Sequence, residues 1–300
     1  MASTFSIIIP HKNIPELLQR CLNSIPIRDN IQIIIIDDDS NPNIVDFDSF
    51  PGTNRKNTEV VFTKEGKGAG YARNIGVKKA KGEWLLFADA DDVFCEGISE
   101  ALEILNSTNA DLVYFHVEAR DCYTLEPNDE ASYQNLICEK IIQGDLETYK
   151  YHHEVPWGKA VRKSLVEDNN ILFDELFCGN DSLFAIKCDY YSKKTLGCNI
   201  LLYCWMTRPG SLWHNPNDNW FRTRFISRIH IINFFNSKGI KSDWSDQRLQ
   251  WYLQSIKYKN SFDYIWYHWK YAIVCHHYGL ILESVVNRLR VFLGSIKQRL

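Results

Sequence analysis

Trp84-Leu85-Leu86-Phe87-Ala88-Asp89-Ala90-Asp91-Asp92 decides the fold, because five residues with no polar face run straight into three carboxylates. A strand apolar on both faces is one that other elements cover on both sides, as in the middle of a parallel sheet. Upstream, Ala72, Ile75, Gly76 and Ala80 form the stripe of a helix that starts at about Tyr71 and closes at Gly82. Further back, Phe5-Ser6-Ile7-Ile8-Ile9 reads as another buried strand, ended by Pro10. Residues 31–36 and a short run at 60–63 read as two more. Between the first two strands, Asn13 stands as an N-cap and Pro15 in the first turn of a helix carrying Leu17, Leu18, Cys21, Leu22 and Ile25.

Downstream of the acidic run, Ile98, Leu102 and Leu105 mark a helix, and residues 112–117 a strand. Residues 120–154 are polar and turn-rich, the mark of an insertion or mobile loop beside an acceptor, and helices are expected around 159–167 and 181–191. Strands alternating with helices predict a mostly parallel, doubly wound α/β sheet, and such sheets bind ligands beyond the carboxyl ends of their strands. After Ser211 the composition turns helical, aromatic and periodically basic. The expected division is a ligand-binding and catalytic domain over residues 1–215 and a helical appendage over 216–300, meeting membrane or partner.

The chain has 300 residues, 45% of them hydrophobic, enough for a substantial core, and a net charge of -3. Nothing basic enough for nucleic acid is present, so an anionic ligand must be handled locally. Nine cysteines without a C-x-x-C pair argue against a zinc cage or a disulfide framework, and suit a reducing, cytoplasmic setting. No secretory signal is legible at the first residues, and no stretch reaches ~18 uninterrupted apolar residues. Residues 280–300 intersperse Leu282, Val285, Val286, Leu289, Val291 and Phe292 with Arg288, Arg290, Lys297 and Arg299. Such a basic amphipathic helix suits the inner face of a cell membrane, bound peripherally, or packing on the parent domain or a partner subunit.

Carboxylates packed as closely as Asp89, Asp91 and Asp92 repel one another unless cations balance them. Oxygen-only ligands favour Mg²⁺ or Mn²⁺, with phosphate oxygens completing the shell. An acidic helix cap is the simpler reading of that turn, but Ile36-Asp37-Asp38-Asp39-Ser40 is a second acidic strand end in the same sheet, where a carboxylate could accept a nucleobase N–H. Between them, Gly66-Lys67-Gly68-Ala69-Gly70 lets backbone approach a ligand, and Arg73 offers a bidentate fork. The segment fits neither the P-loop nor the dinucleotide fingerprint.

Ser6-Ile7-Ile8-Ile9-Pro10, Ile36-Asp37-Asp38-Asp39-Ser40, Gly70-Tyr71-Ala72-Arg73-Asn74-Ile75-Gly76 and Phe87-Ala88-Asp89-Ala90-Asp91-Asp92 stand in the order and near the spacing of the family 2 glycosyltransferases, which the chain resembles. Trp157-Gly158-Lys159-Ala160-Val161-Arg162, Gly179-Asn180-Asp181-Ser182 and Arg208-Pro209-Gly210-Ser211 extend the resemblance to roughly residues 4–212. It implies a GT-A fold and an inverting transfer, in one displacement, from a nucleotide-diphosphate sugar, by analogy a UDP-sugar. The expected acceptor is a hydroxyl of a glycan or lipid-linked glycan in cell-surface polysaccharide synthesis, as the basic amphipathic tail of a cytoplasmic transferase suggests. By the same similarity Asp38 meets the base, Arg73 the nucleotide, Asp89 the ribose or phosphate and Asp91 the metal, while Asp181 is the general base.

A plain N-cap is an equal reading of Asp181. Pro10 ends the first strand, and His11 and Lys12 follow it within reach of the base or the acceptor, with a solvated loop the equal alternative for these two. His214 is a candidate for the metal or diphosphate, against a structural role. Trp157, Trp205 and Trp213 offer sugar-stacking faces, with core packing the default, and His152-His153 and His276-His277 read as structural. The family usually carries Gly at the place of Asp39 and Glu at the place of Asn180. The competing readings are a sugar-1-phosphate nucleotidyltransferase, which needs a basic glycine-rich loop where Pro10-His11-Lys12-Asn13 stands, and a non-catalytic nucleotide-binding module, which would lose Asp91 or Asp181.

Overall fold

The computed structural model describes residues 4–212 and 217–241, with residues 269, 270 and 273. The chain divides into two compact units, Met1–His214 and Asn215–Leu300. The first unit runs β1 (Phe5–His11), α1 (Pro15–Ser24), β2 (Ile31–Asp38), β3 (Thr58–Thr63), α2 (Ala69–Lys79), β4 (Trp84–Phe87), β5 (Val93–Phe94) and α3 (Ile98–Ser107). It continues with β6 (Leu112–Asp121), β7 (Pro127–Asn128), α4 (Ser132–Ile142), α5 (Leu146–Tyr149), β8 (Lys159–Arg162), α6 (Lys163–Asp168), α7 (Ser182–Tyr191) and β9 (Thr195–Thr207).

The strands form one sheet in the order β3-β2-β1-β4-β8-β6-β9-β5, with β7 paired to β6. β1 is parallel to β2 and β4, β2 to β3, and β6 to β9, whereas β8 runs antiparallel to both β4 and β6. β1, β2, β3, β4, β6 and β9 therefore all end on one edge of the sheet, and the acidic turns emerge there. Ile7, Ile9, Ile33 and Ile35 feed the core on one face, and Ile8, Ile34, Ile36 and Phe87 feed the other. This double burial is why those strands are uniformly apolar.

β1 continues through Pro10, contrary to the sequence expectation. Pairing with β4 stops at Ile8, whose carbonyl takes the Ala88 amide, so the missing N–H of Pro10, two residues on, faces a side that no longer has a strand beside it. The N-cap of α1 is Ile14, without a side-chain cap, rather than Asn13. Asn13 has φ 59° and cross-links the loops instead: its amide donates to Ser40 Oγ (2.8 Å) and its Oδ1 accepts from the Asn41 amide (2.7 Å).

Residues 120–154 are likewise not a plain loop. α4 buries Ile137, Cys138 and Ile141 against the sheet, and Asn135 accepts the Val117 amide and donates to the Val117 carbonyl. The helix expected over 159–167 is strand β8 followed by the short α6. In the second unit, α8 (Asp218–Lys238) starts where the Asn217 side chain accepts the Trp220 amide and ends at Gly239, φ 67°. Among the described residues no helix is long and apolar enough to cross a membrane. The basic stretch 280–300, Trp213, His214 and His276-His277 lie outside the described residues.

Candidate functional site

At the ends of β1 and β2, His11 and Asp37 are both buried, with Nδ1 and Oδ2 2.7 Å apart. His11 Nε2 accepts the Ile14 amide (3.2 Å), so the network assigns the ring proton to Nδ1, donating to Asp37. Asp37 also accepts the Ser40 amide (3.0 Å) and hydroxyl (2.5 Å). Burial alone would raise its carboxyl, but the hydrogen bonds from His11 and Ser40 outweigh that and hold it below the usual range. A carboxyl lowered in this way stabilises the fold above its unfolded-state pKa of about 3.9 and loses the contribution as pH falls through the lower folded value. Asp37→Ala is thus expected to cost about 2–3 kcal/mol at pH 7. In urea titrations the gap to wild type should narrow by pH ~3; an equal gap at both pH values contradicts the assignment.

Asp38 is buried and spans the glycine loop. Its Oδ1 accepts the Lys67 amide (3.1 Å) and its Oδ2 the Gly68 amide (2.7 Å), with Thr63 Oγ1 at 3.4 Å and Lys12 Nζ at 4.0 Å. Asp38 therefore fixes the point where α2 begins, and α2 carries Arg73. Asp39, beside it, has φ 62°, the left-handed region that glycine enters without strain, which accounts physically for the usual Gly there. A Cβ on Gly70 would collide with the Asp174 carbonyl, so α2 and the loop before α7 approach as closely as a bare backbone permits.

Arg73 joins three segments. Buried to 4% exposure, it donates from Nη2 to Asp89 Oδ1 (2.5 Å) and from Nη1 to Asn180 Oδ1 (2.9 Å), and lies over the Phe173 ring at 5.4 Å. Asn74, one residue on, grips the Phe173 main chain through both amide atoms (3.0 and 2.9 Å). Asn180 keeps an acceptor for Arg73 where a Glu is usual, and its Nδ2 donates to the Leu176 carbonyl (3.2 Å). Asp181 follows directly at the N-cap position of α7, yet its side chain makes no capping hydrogen bond, against the plain-cap reading. Its charge is felt by Lys159: burial lowers that lysine's pKa, and Asp189, Cys188, Asp181 and Glu154 oppose the shift. Lys159 donates to the His153 carbonyl (2.5 Å) and lies 4.8 Å from the Tyr114 ring centroid.

Beyond β4, Asp91 Oδ2 accepts Nε of Arg208 (2.9 Å), just past the end of β9, while Arg20 holds the Asp91 carbonyl (2.7 Å). Burial, then the charge of Asp89, push the Asp91 carboxyl up. Asp92 is buried and accepts from Tyr203 Oη (2.7 Å) and the Met206 amide (2.7 Å); burial, Asp91 and Asp89 push it well above the usual range. Tyr203 Oη also accepts the Asp89 amide (2.9 Å). The structure thus ties Asp38, Arg73, Asp89, Asp91 and the Asn180-Asp181 pair to one edge of the sheet.

The sequence model described as Glycosyl transferase family 2 matches residues 6–169, more than half the chain. The chain belongs to glycosyl transferase family 2. It is 27% identical over 256 residues to the Streptococcus pneumoniae glycosyltransferase GlyG, covering 79% of this chain and 80% of GlyG. To the poly(ribitol-phosphate) β-N-acetylglucosaminyltransferase TarS of Staphylococcus aureus it is 24% identical over 242 residues, 76% of this chain and 40% of TarS. The crystal structure of TarS residues 1–349 with UDP-GlcNAc superposes with a TM-score of 0.65 at 19% identity, covering 90% of this chain and 81% of that one. The mannosyltransferase PcManGT of Pyrobaculum calidifontis, solved with GDP-Man and Mn²⁺, gives a TM-score of 0.50 at 14% identity, covering 99% and 81%. The protein is therefore a glycosyltransferase with the GT-A fold, similar to GlyG and TarS. The nucleotidyltransferase and non-catalytic readings give way to it.

A divalent ion fits the donor set of this glycosyltransferase. Among the described residues no group of three or more His, Cys, Asp or Glu forms a metal cage. Mg²⁺ and Mn²⁺, however, take one or two carboxylates and complete their shells with phosphate oxygens. Arg208 engages only Oδ2 of Asp91, and burial together with the neighbouring carboxylate charges pushes Asp91 and Asp92 up, a penalty that a dication would relieve.

Both ring nitrogens of His11 are engaged internally. Trp157 is core: 5% exposed, it stacks on Tyr203 at 5.4 Å and 13°. His153 is buried between Tyr114 and Trp157. The sequence assigns no role to Arg208 or Tyr203, and none to Asp92 beyond its place in the acidic cluster. Arg208 had a signal, a guanidinium in a short Pro-Gly turn after the last core segment, but its carboxylate partner lies 117 positions earlier.

Proposed function

We propose that this glycosyltransferase moves a hexose or N-acetylhexosamine from a UDP-sugar to a hydroxyl of a glycan or lipid-linked glycan acceptor, with inversion, in cell-surface polysaccharide synthesis at the inner face of the membrane. The observation that carries the reading is the Arg73 fork, which binds Asp89 on the donor side and Asn180, the neighbour of Asp181, on the acceptor side. Further support comes from TarS, solved with UDP-GlcNAc, although the chain spans only 40% of its length.

In this scheme Asp38 and the main chain of Pro10 and His11 border the base, and Asp89 and Arg73 border the ribose and diphosphate. Asp91, with His214 from beyond the described residues, would hold a Mg²⁺ or Mn²⁺ ion, which when bound supplies charge stabilisation to the departing diphosphate. Arg73 adds a preorganised positive charge that needs no rearrangement as the leaving group gains charge. Asp181 accepts the proton of the acceptor hydroxyl as that oxygen attacks the anomeric carbon from the face opposite the diphosphate.

Calorimetry of UDP with and without Mn²⁺ tests the reading. The expected result is binding strengthened at least about tenfold by the metal, ~1.4 kcal/mol. Absence of binding to any nucleoside diphosphate, or binding indifferent to Mn²⁺, overturns it.

A further inference from the structure

Three arginines surround the acidic turn after β4, and they are held very differently. Arg73 is 4% exposed and clamped between Asp89, Asn180 and the Phe173 ring. Arg20 is fixed on main-chain and sulfur atoms, with Nη1 on the Cys122 carbonyl (3.0 Å), Nη2 on the Asp91 carbonyl (2.7 Å) and Nη2 3.3 Å from Cys122 Sγ. Arg208 makes a single ion pair, from Nε to Asp91 Oδ2, and both partners are about one-fifth exposed, at 22% and 21%. It stands between the end of β9 and a turn in which Gly210 has φ 86° and the Ser211 amide donates to the Arg208 carbonyl (3.3 Å). Of the three, Arg208 is the one whose side chain can leave its partner without dismantling packed structure.

We propose that Arg208 is a charge place-holder: it neutralises Asp91 while the donor is absent, and transfers to the donor diphosphate when a divalent cation takes over Asp91. The inference rests on the proposed donor site. A guanidinium and a divalent cation compete for one carboxylate, since each repels the other at contact distance. The turn carries three carboxylates in four residues, and of these Asp89 has Arg73 while Asp92 is satisfied by Tyr203 and Met206. Asp91 is left needing a positive partner in both states. The donor arrives with its own anion, so a displaced Arg208 meets a phosphate group that its remaining N–H donors can grip as a fork. Cation and nucleotide are thereby favoured together over the cation alone.

The test uses the full chain and Mn²⁺ by itself, read from the loss of the free-ion paramagnetic resonance signal, so it needs no turnover. Arg208→Gln is expected to bind Mn²⁺ alone about fivefold more tightly than wild type, because its competitor is gone. Arg208→Lys, which restores a cation, should stay within about twofold of wild type. UDP binding in the presence of Mn²⁺ should weaken about tenfold in Arg208→Gln. Arg208→Met, with melting temperature checked for both variants, guards against a folding artefact, and agreement of the two supports the exchange. Mn²⁺ affinity unchanged or weaker in both Arg208→Gln and Arg208→Met overturns it. If wild type binds UDP without regard to Mn²⁺, the donor-site reading itself fails, which is a different result from a metal-dependent wild type whose Arg208 variants gain nothing.

Discussion

Asp181→Asn is expected to lower kcat about a thousandfold while leaving UDP affinity, measured with Mn²⁺, within about twofold of wild type. The amide keeps the size and place of the carboxylate at the head of α7 but cannot take a proton. Since the Asp181 side chain does not cap α7, the substitution removes no helix-starting hydrogen bond, and the melting temperature should barely change. The Arg73 fork binds Asn180 rather than Asp181, so the donor side should stay assembled. Kinetics and calorimetry on one preparation decide the matter. Near-wild-type kcat sinks the base assignment, and a joint loss of kcat and nucleotide affinity makes Asp181 part of the donor site instead.

What the sequence revealed and what it hid follow one division. Strands buried on both faces, such as Ile31–Asp38 and Trp84–Phe87, are uniformly apolar and legible without neighbours. β8 reads as helix in the sequence because Lys159 is a poor strand signal, and its burial makes sense only with the His153 carbonyl and Tyr114 ring that enclose it. β9 slips register against β6 between Cys198 and Tyr203, so no clean period runs through the strand. α4 had its stripe in Tyr133, Ile137, Cys138 and Ile141, but polar flanks masked it.

The acidic turns were legible as a chemical type, because clustered carboxylates are anomalous in any sequence. Their partners were not, for the pairs Arg73–Asn180, Asp92–Tyr203 and Asp91–Arg208 each join residues more than a hundred positions apart. The departures at Asp39 and Asn180 are accommodated in the local geometry. Asp39 adopts the left-handed conformation by itself, and Asn180 still presents an oxygen to Arg73.

Asp91→Ala should show the opposite balance between stability and activity from a core substitution. UDP affinity should lose its dependence on Mn²⁺, and kcat/KM should fall at least about a thousandfold, as expected when the charge-stabilising group at a leaving diphosphate is removed. Stability should not fall with it. Burial and the charge of Asp89 push the Asp91 carboxyl above its ordinary range, so at neutral pH the folded protein holds this ion at a cost, a cost relieved as pH drops. Removing the ion also relaxes the repulsion felt by Asp92. Losing the partly exposed Arg208 pair offsets this by only ~1 kcal/mol. A melting temperature within about 3 °C of wild type, or above it, is therefore expected at pH 7, beside near-complete loss of turnover. A large drop in melting temperature with activity retained would mean that Asp91 is held for the fold rather than for the donor.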